Sequence, residues 1–291
     1  MSNLVNDLTI IIVLYQEKLE LIQSCLKNIK NFKIIIIDND NNLKIKNKII
    51  KEFKIQKYIL HEKNIGFTKA ANIAINLVDT KYVMNLNADC LIKEDAILEL
   101  VLAKQKYQNC FIISPTFYNI NNELTLNSSN FSNNNILSNH KIFEGDVCVD
   151  WVLGSAILFE KKEMEEIGMF DDNLFLYFPD KDICRRGFLK KKSTIQLSKV
   201  RAIHAHGVPK TKNFFKKIFL IHYHFTFDEL YYYFKINEHH KIFNKLKKKI
   251  PNYWIKFLLN ILILRFDRSI RYIALILAFF KFKRFMKNYS N

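Results

Sequence analysis

Several acidic and amide side chains of this 291-residue chain close apolar runs, where a side chain can meet a ligand instead of bulk water. Ile35-Ile36-Ile37-Asp38-Asn39-Asp40 ends a β-branched run in this way. At the carboxyl edge of a parallel sheet, Asp38 can accept a hydrogen bond from a base edge or a ribose, or it can cap a turn with Asn39. Asn85-Leu86-Asn87-Ala88-Asp89 ends a second run. A hard carboxylate there can hold Mg²⁺ or Mn²⁺ together with a diphosphate, or it can cap a helix. Between the two lies Asn64-Ile65-Gly66-Phe67-Thr68-Lys69-Ala70-Ala71-Asn72, in which Gly66 permits a tight turn and the alanines permit close approach. Such a corner can offer amide donors to an anion. Further on, Asp180, Asp182, Arg185 and Arg186 are either reactive groups or ion pairs at a helix start. His204 and His206 are either structural or available to a metal.

The elements that must position these groups are legible as alternating patterns. Residues 9–15, 33–37, 58–60, 82–85 and 110–114 read as strands, and 19–28, 68–77 and 93–107 as helices. This alternation predicts a parallel sheet with helices on its faces. The Asn- and Ser-rich stretch 119–146 reads as a surface excursion. Strand character resumes over 151–159, with Gly154 inside it, and 161–167 reads as a short helix before Gly168.

In order along the chain, these motifs resemble the family-2 glycosyltransferases, rhamnosyltransferase-like branch. Asn64–Asn72 matches the hallmark NxGFxxAxN, and Asn85–Asp89 the variant DxD motif whose last Asp touches metal. Trp151-Val152-Leu153-Gly154-Ser155-Ala156 matches W-x-x-G-(A/S). Gly168-Met169-Phe170-Asp171-Asp172 and Leu176-Tyr177-Phe178-Pro179-Asp180-Lys181-Asp182-Ile183-Cys184 look like GxFDE and YFEDxDLC, with Pro179 standing where the family usually has Glu. The resemblance covers roughly residues 8–208. It implies a GT-A fold, a Rossmann-like nucleotide-sugar-binding sheet flanked by helices, and inverting transfer with Asp180 as the base. Asp89 and His204, with His206 the second choice, would hold Mn²⁺ or Mg²⁺. Tyr15, Asp38, Asn64, Gly66, Phe67, Asn72 and Asn87 would line the donor nucleotide, and Trp151, Gly154 and Asp182 the acceptor side. The donor would be a dTDP-rhamnose-like or UDP-sugar, and the acceptor a glycan or lipid-linked glycan of capsule or lipopolysaccharide. Loss of the acidic group at Pro179 leaves an impaired nucleotide-sugar-binding homologue as the alternative.

Residues 1–208 are accordingly expected as the catalytic domain and 209–291 as a helical, basic and aromatic extension. Charge separates the two: from Pro209 onward there are 18 Lys and Arg against 4 Asp and Glu, a balance of +14 within a total of +17. The tail's apolar stretches, interrupted by Arg265, Asp267, Arg268 and Arg271, are too short to span a bilayer. Trp254, Phe257, Leu258, Ile261 and Leu262 recur at helical spacing, as do Tyr272, Leu275, Ile276 and Phe279. With the flanking lysines, these faces suit an anionic membrane surface, the catalytic core or a second subunit of a homo-oligomer. A basic nucleic-acid-binding protein is disfavoured because the charge sits beside apolar helices and no nucleic-acid motif occurs. Five cysteines without CxxC spacing and the lack of a basic-then-apolar leader predict a cytoplasmic protein, peripheral on the inner face of the membrane.

Overall fold

The structure, a computed structural model, describes residues 2–125, 128–129, 144–205 and 214–289. It divides into two compact units, Met1–Asp171 with Pro179–Pro209, and Asp172–Phe178 with Lys210–Asn291.

In the first unit a short helix, Ser2–Asn6 (α1), leads into Leu8–Leu14 (β1), followed by Leu19–Asn28 (α2) and Lys33–Asp38 (β2). The two strands are almost wholly buried, which is why they read as continuous apolar runs instead of alternating ones. Leu43–Glu52 (α3), Lys57–Leu60 (β3), Phe67–Asn76 (α4) and Tyr82–Leu86 (β4) complete a parallel array in the order β3-β2-β1-β4. Next come Cys90–Ile92 (β5), Glu94–Lys106 (α5), Cys110–Tyr118 (β6), Ser128–Ser129 (β7), Val147–Val149 (β8), Trp151–Val152 (β9) and Ala156–Glu160 (β10). Lys161–Ile167 (α6), Pro179–Leu189 (α7) and Ser193–His204 (β11) follow. The sheet continues from β4 through β10, β6 and β11 to β5, with β8 also on β11.

Two expectations are corrected here. The sheet is mixed, because β10 runs antiparallel to both β4 and β6, and β11 antiparallel to β5 and β8. The strand expected over 151–159 is two strands, because β9 pairs with β7 in a separate two-stranded sheet while β10 joins the main sheet, and between them the Gly154 carbonyl accepts from the Asn85 side chain. Several elements, among them α1, α3, β5, β8 and β11, had no counterpart in the sequence pattern. The lysine-rich α3 is started by Asn42, whose side chain accepts from the Ile45 N–H, and β11 carries a period-two pattern with Lys199, Arg201 and Ile203 exposed and Val200, Ala202 and His204 buried. Of the excursion expected over 119–146, residues 126–127 and 130–143 lie outside the described residues.

Within the sheet unit, α7 packs closely enough that a Cβ on Gly187 would come 2.6 Å from Phe111 Cδ1, a fully buried ring of β6. Gly187→Ala should therefore destabilise the protein by about 1–3 kcal/mol despite alanine's better helix propensity, read as a lower urea midpoint.

The second unit comprises Phe214–Lys235 (α8), His239–Leu262 (α9) and Phe266–Tyr289 (α10), each packed on the other two. Phe227, Leu230, Tyr232, Ala278 and Phe282 form its core with Leu174 of the short inserted segment. Ile250, Ile276 and Phe279 form a second cluster. Of the two apolar faces expected in the tail, the one carrying Ile276 and Phe279 is thus consumed by helix packing. The α9 face is not, and Leu258 and Leu262 are exposed.

Asp228 of α8 organises the inserted segment. Its carboxylate accepts from three consecutive backbone N–H groups, those of Phe175 (3.1 Å), Leu176 (2.9 Å) and Tyr177 (2.9 Å). The Phe175 ring stacks on His224 at 3.5 Å, and Phe178, at a positive φ of 67°, stacks on Tyr232. Burial pushes the Asp228 pKa up to about 6 against the opposing pull of these N–H groups. An unfolded aspartate titrates near about 4, so the folded state binds this proton more tightly. The contribution of Asp228 to stability is full below that pH and is lost as pH rises through about 6. Asp228→Asn should remove this component, and the stability difference between the two proteins, measured by urea unfolding, should change between pH 4 and 6 and be flat above pH 7.

Candidate active site

Parallel strands bring the first groups to one edge. Leu14 lies opposite Asp38 and Ile11 opposite Asn85, so β1, β2 and β4 open their carboxyl ends on the same side of the sheet. Beyond β4, Asn87 donates its backbone N–H to Ser155 O (2.8 Å) and its Nδ2 to Ser155 Oγ (3.2 Å). Asn85 Nδ2 donates to Gly154 O (2.8 Å). The same dipeptide faces two further groups: Gly154 N–H donates to Asp180 Oδ2 (3.0 Å), and Ser155 Oγ lies 3.3 Å from His204 Nε2. His204 Nε2 is 3.2 Å from Asp89 Oδ1. It arrives there because the β11 alternation turns it inward opposite Cys90, the residue after Asp89. Asp89, Asp180 and His204, far apart in sequence, are therefore joined through Gly154 and Ser155.

Asp180 is held at both oxygens, Oδ1 accepting from Lys181 N–H (2.8 Å) and Oδ2 from Gly154. Desolvation pushes its pKa above the usual carboxylate value, while the N–H groups of Lys181 and Gly154 pull it back. A carboxylate with a raised pKa is a better proton acceptor near neutral pH. A Cβ at Gly154 would lie 3.2 Å from Asp180 Cβ, so this position cannot gain a side chain without displacing the carboxylate. Pro179 is the first residue of α7, where a missing N–H costs no helical hydrogen bond.

The donor-side residues form a second group. Asp38 is buried, accepting from Asp40 N–H (2.8 Å) and Tyr58 OH (3.0 Å), and burial pushes its pKa up against these donors. Asn39 Nδ2 donates to Gly66 O (3.1 Å), tying the end of β2 to the start of α4. Gly66 takes a φ of 90°, a conformation glycine alone adopts readily, and its N–H is accepted by Asn64 Oδ1 (2.9 Å). Tyr15 directly follows β1 and is half-buried. Phe67 and Asn72 are drawn to Phe170: the rings of Phe67 and Phe170 meet edge-on at 5.5 Å, and the Asn72 amide both donates to Phe170 O (2.8 Å) and accepts from its N–H (3.1 Å).

Asp182, expected on the acceptor side, is buried and ion-paired, with Oδ2 accepting from Arg186 Nε (2.9 Å) and a terminal guanidinium nitrogen (2.8 Å). Arg186 also donates to Ile167 O (2.8 Å) and Met169 O (2.6 Å), so the pair fastens α7 to the end of α6. Trp151 is half-buried in β9, paired with Ser129. Three contributors escaped sequence reasoning as site residues. Asn85 and Ser155 stood inside recognised motifs, whereas Tyr58 gave no signal beyond its place in a strand beside β2. His206, Pro209, Lys210 and Thr211 lie outside the described residues.

Asp89 and His204 offer the right donors for a divalent metal, a carboxylate oxygen and an imidazole nitrogen, both largely buried. Two ligands each about 2.1 Å from one ion and at right angles to each other stand about 3 Å apart, close to the observed separation. Among the described residues no group of three or more His, Cys, Asp or Glu is gathered to hold a metal. Two protein ligands fit the type of site completed by substrate phosphate and water.

Residues 9–167, more than half of the chain, match the family described as Glycosyl transferase family 2. The chain is 27% identical over 221 residues to the rhamnosyltransferase WbbL of Escherichia coli, covering 68% of this chain and 81% of that protein. It is 26% identical over 223 residues to the low-salt glycan biosynthesis hexosyltransferase Agl10 of Haloferax volcanii (72% and 71% covered), and 23% identical over 209 residues to the dTDP-rhamnosyl transferase RfbF of Shigella flexneri (69% and 70%). Among solved structures, GalNAc-T7 with UDP, GalNAc and Mn²⁺ superposes with a TM-score of 0.57 at 14% identity, covering 81% of this chain and 51% of that one. TarS of S. aureus gives 0.50 at 16% identity, covering 74% and 39%. Matched along its sheet unit and sharing the GT-A fold of these enzymes, the chain belongs to glycosyl transferase family 2 and is a glycosyltransferase.

Proposed function

We propose that this enzyme transfers a sugar, with inversion, from a dTDP-rhamnose-like or UDP-sugar to a hydroxyl of a glycan or lipid-linked glycan in cell-surface polysaccharide synthesis. The carrying observation is the junction at Gly154 and Ser155, which sets the base candidate Asp180 beside the Asp89–His204 pair. Two relatives being rhamnosyltransferases, one of them a dTDP-rhamnosyl transferase, supports the donor. Asp38, at the end of β2 between β1 and β3, would hold the nucleoside, with Tyr15, Asn64 and Gly66 shaping that side and Asn87 the pyrophosphate side. Trp151 and Gly154 would border the acceptor.

In the reaction, the acceptor hydroxyl oxygen forms its bond to the anomeric carbon as the bond to the nucleoside diphosphate breaks. The hydroxyl proton passes to Asp180, whose two N–H donors keep the carboxylate oriented while its raised pKa favours uptake. A single displacement inverts the anomeric centre without a second carboxylate. Asp89 and His204 would hold Mn²⁺ or Mg²⁺, which supplies positive charge to the departing diphosphate. The basic tail would keep the enzyme at the inner face of an anionic membrane, where lipid-linked acceptors reside.

Asp180→Asn keeps the shape of the side chain and removes its basicity. Turnover should fall by roughly 10² or more while donor affinity hardly changes, and near-normal transfer by this variant would remove Asp180 from the role. The donor is identified by nucleoside diphosphate release from a panel of dTDP-, UDP- and GDP-sugars.

Chelation should abolish transfer and Mn²⁺ or Mg²⁺ restore it. Asp89→Ala should weaken metal-dependent donor binding in calorimetry, and undiminished turnover in excess chelator would show the reaction to be metal-independent.

A further inference from the structure

The end of α9, the turn after it and the start of α10 form a tip whose burial pattern is inverted. Ile255, Leu258, Leu259, Leu262, Ile263 and Leu264 are each more than half exposed, whereas the polar Asn260 and Ser269 beside them are buried. The turn is ordered by its own hydrogen bonds. Asn260 O accepts from Arg265 N–H (2.8 Å), Ile261 O from Leu264 N–H (3.0 Å), and Phe257 O from Ser269 Oγ (3.2 Å). The apolar side chains are thus presented outward by a closed helical corner and are not loosened from a core. An apolar patch of this extent on a folded surface marks a contact with something apolar.

Charge identifies what that is. Residues 245–271 contain eight Lys and Arg against the single acid Asp267, a balance of +7. Lys247, Lys248, Lys249, Arg265, Arg268 and Arg271 are all exposed. Two copies meeting through such tips would bring like charges together, whereas an anionic lipid surface complements both the charge and the apolar side chains. Among the described residues no helix is long and apolar enough to cross a membrane, so the contact is with the interface.

We infer that the α9–α10 tip inserts into an anionic bilayer, with Leu258, Leu262 and Leu264 at acyl-chain level and Arg265 and Arg268 among the headgroups. This rests on the proposed membrane-surface location and assigns it to one structural element.

The full-length protein carries two tryptophans, Trp151 and Trp254, so Trp151→Phe leaves Trp254 at the tip as a single reporter. With vesicles of phosphatidylglycerol and phosphatidylcholine, co-sedimentation should need the anionic lipid and weaken with salt, and lipids brominated on the upper acyl chain should quench Trp254. Leu258→Glu with Leu262→Glu should lower vesicle binding at least tenfold while leaving far-UV circular dichroism and donor hydrolysis in solution unchanged. If the double variant binds vesicles as well as the parent and Trp254 is not quenched, the tip assignment is overturned and the membrane location stands on other lysines. If the parent ignores anionic vesicles at low salt, the membrane location is overturned too. A dimer in sedimentation equilibrium that the double variant abolishes, without vesicle binding, would give the tip to a second copy of the chain.

Discussion

The peptide units of Gly154 and Ser155 are the point on which the candidate site at the sheet edge depends. Their carbonyls and hydroxyl take up the amides of Asn85 and Asn87, one N–H restrains Asp180, and the hydroxyl adjoins His204. In a partly desolvated setting such bonds are electrostatically stronger than in water, and each unmade one is correspondingly costly. The arrangement also explains an irregularity of the sheet. The strand breaks between β9 and β10 at Gly154, whose carbonyl and N–H serve the side chains of Asn85 and Asp180, and the two pieces pair in different sheets. The absence of a side chain at Gly154 is the steric counterpart, since a Cβ would press on Asp180.

What the sequence disclosed and what it withheld follow from the range of the interactions. Asp38, Asp89 and Asp180 stood out as candidates because each closes an apolar run or sits in a contiguous motif, and the order of motifs carried the GT-A fold. Strand direction was not: the apolar run of β10 says nothing of its antiparallel course. Asn72 and Phe170 are 98 residues apart, so the amide that looked ready for a ligand gave no sign of its backbone partner. Asp182 and Arg186 are only one helical turn apart, yet the reach of Arg186 to the end of α6 depends on tertiary packing. Periodicity found two apolar faces in the tail and treated them alike. Packing alone shows that Ile276 and Phe279 are core while Leu258 and Leu262 are not.

The two units also differ in what charge does. Around the sheet edge individual carboxyl groups matter, each placed by named donors and shifted by burial. In the helical unit the charge acts collectively, through many exposed lysines and arginines on few elements. Raised ionic strength weakens the second kind of interaction much more than the first, because buried groups are screened less than exposed ones.

The chain leaves the sheet unit after Asp171, spends Asp172–Phe178 in the helical unit, and returns at Pro179, one residue before Asp180. The carboxylate that receives those seven residues, Asp228, is encoded some fifty residues later. The helical unit is thus not an appendage that recombination could exchange by a single crossover near residue 209. A chimaera made that way would join a loop from one parent to a receptor helix from the other. Three backbone N–H groups would then rely on whatever residue the new helix placed at position 228. The two segments are thus coupled structurally, and a change at position 228 bears on a stretch of chain that runs directly into Pro179 and Asp180.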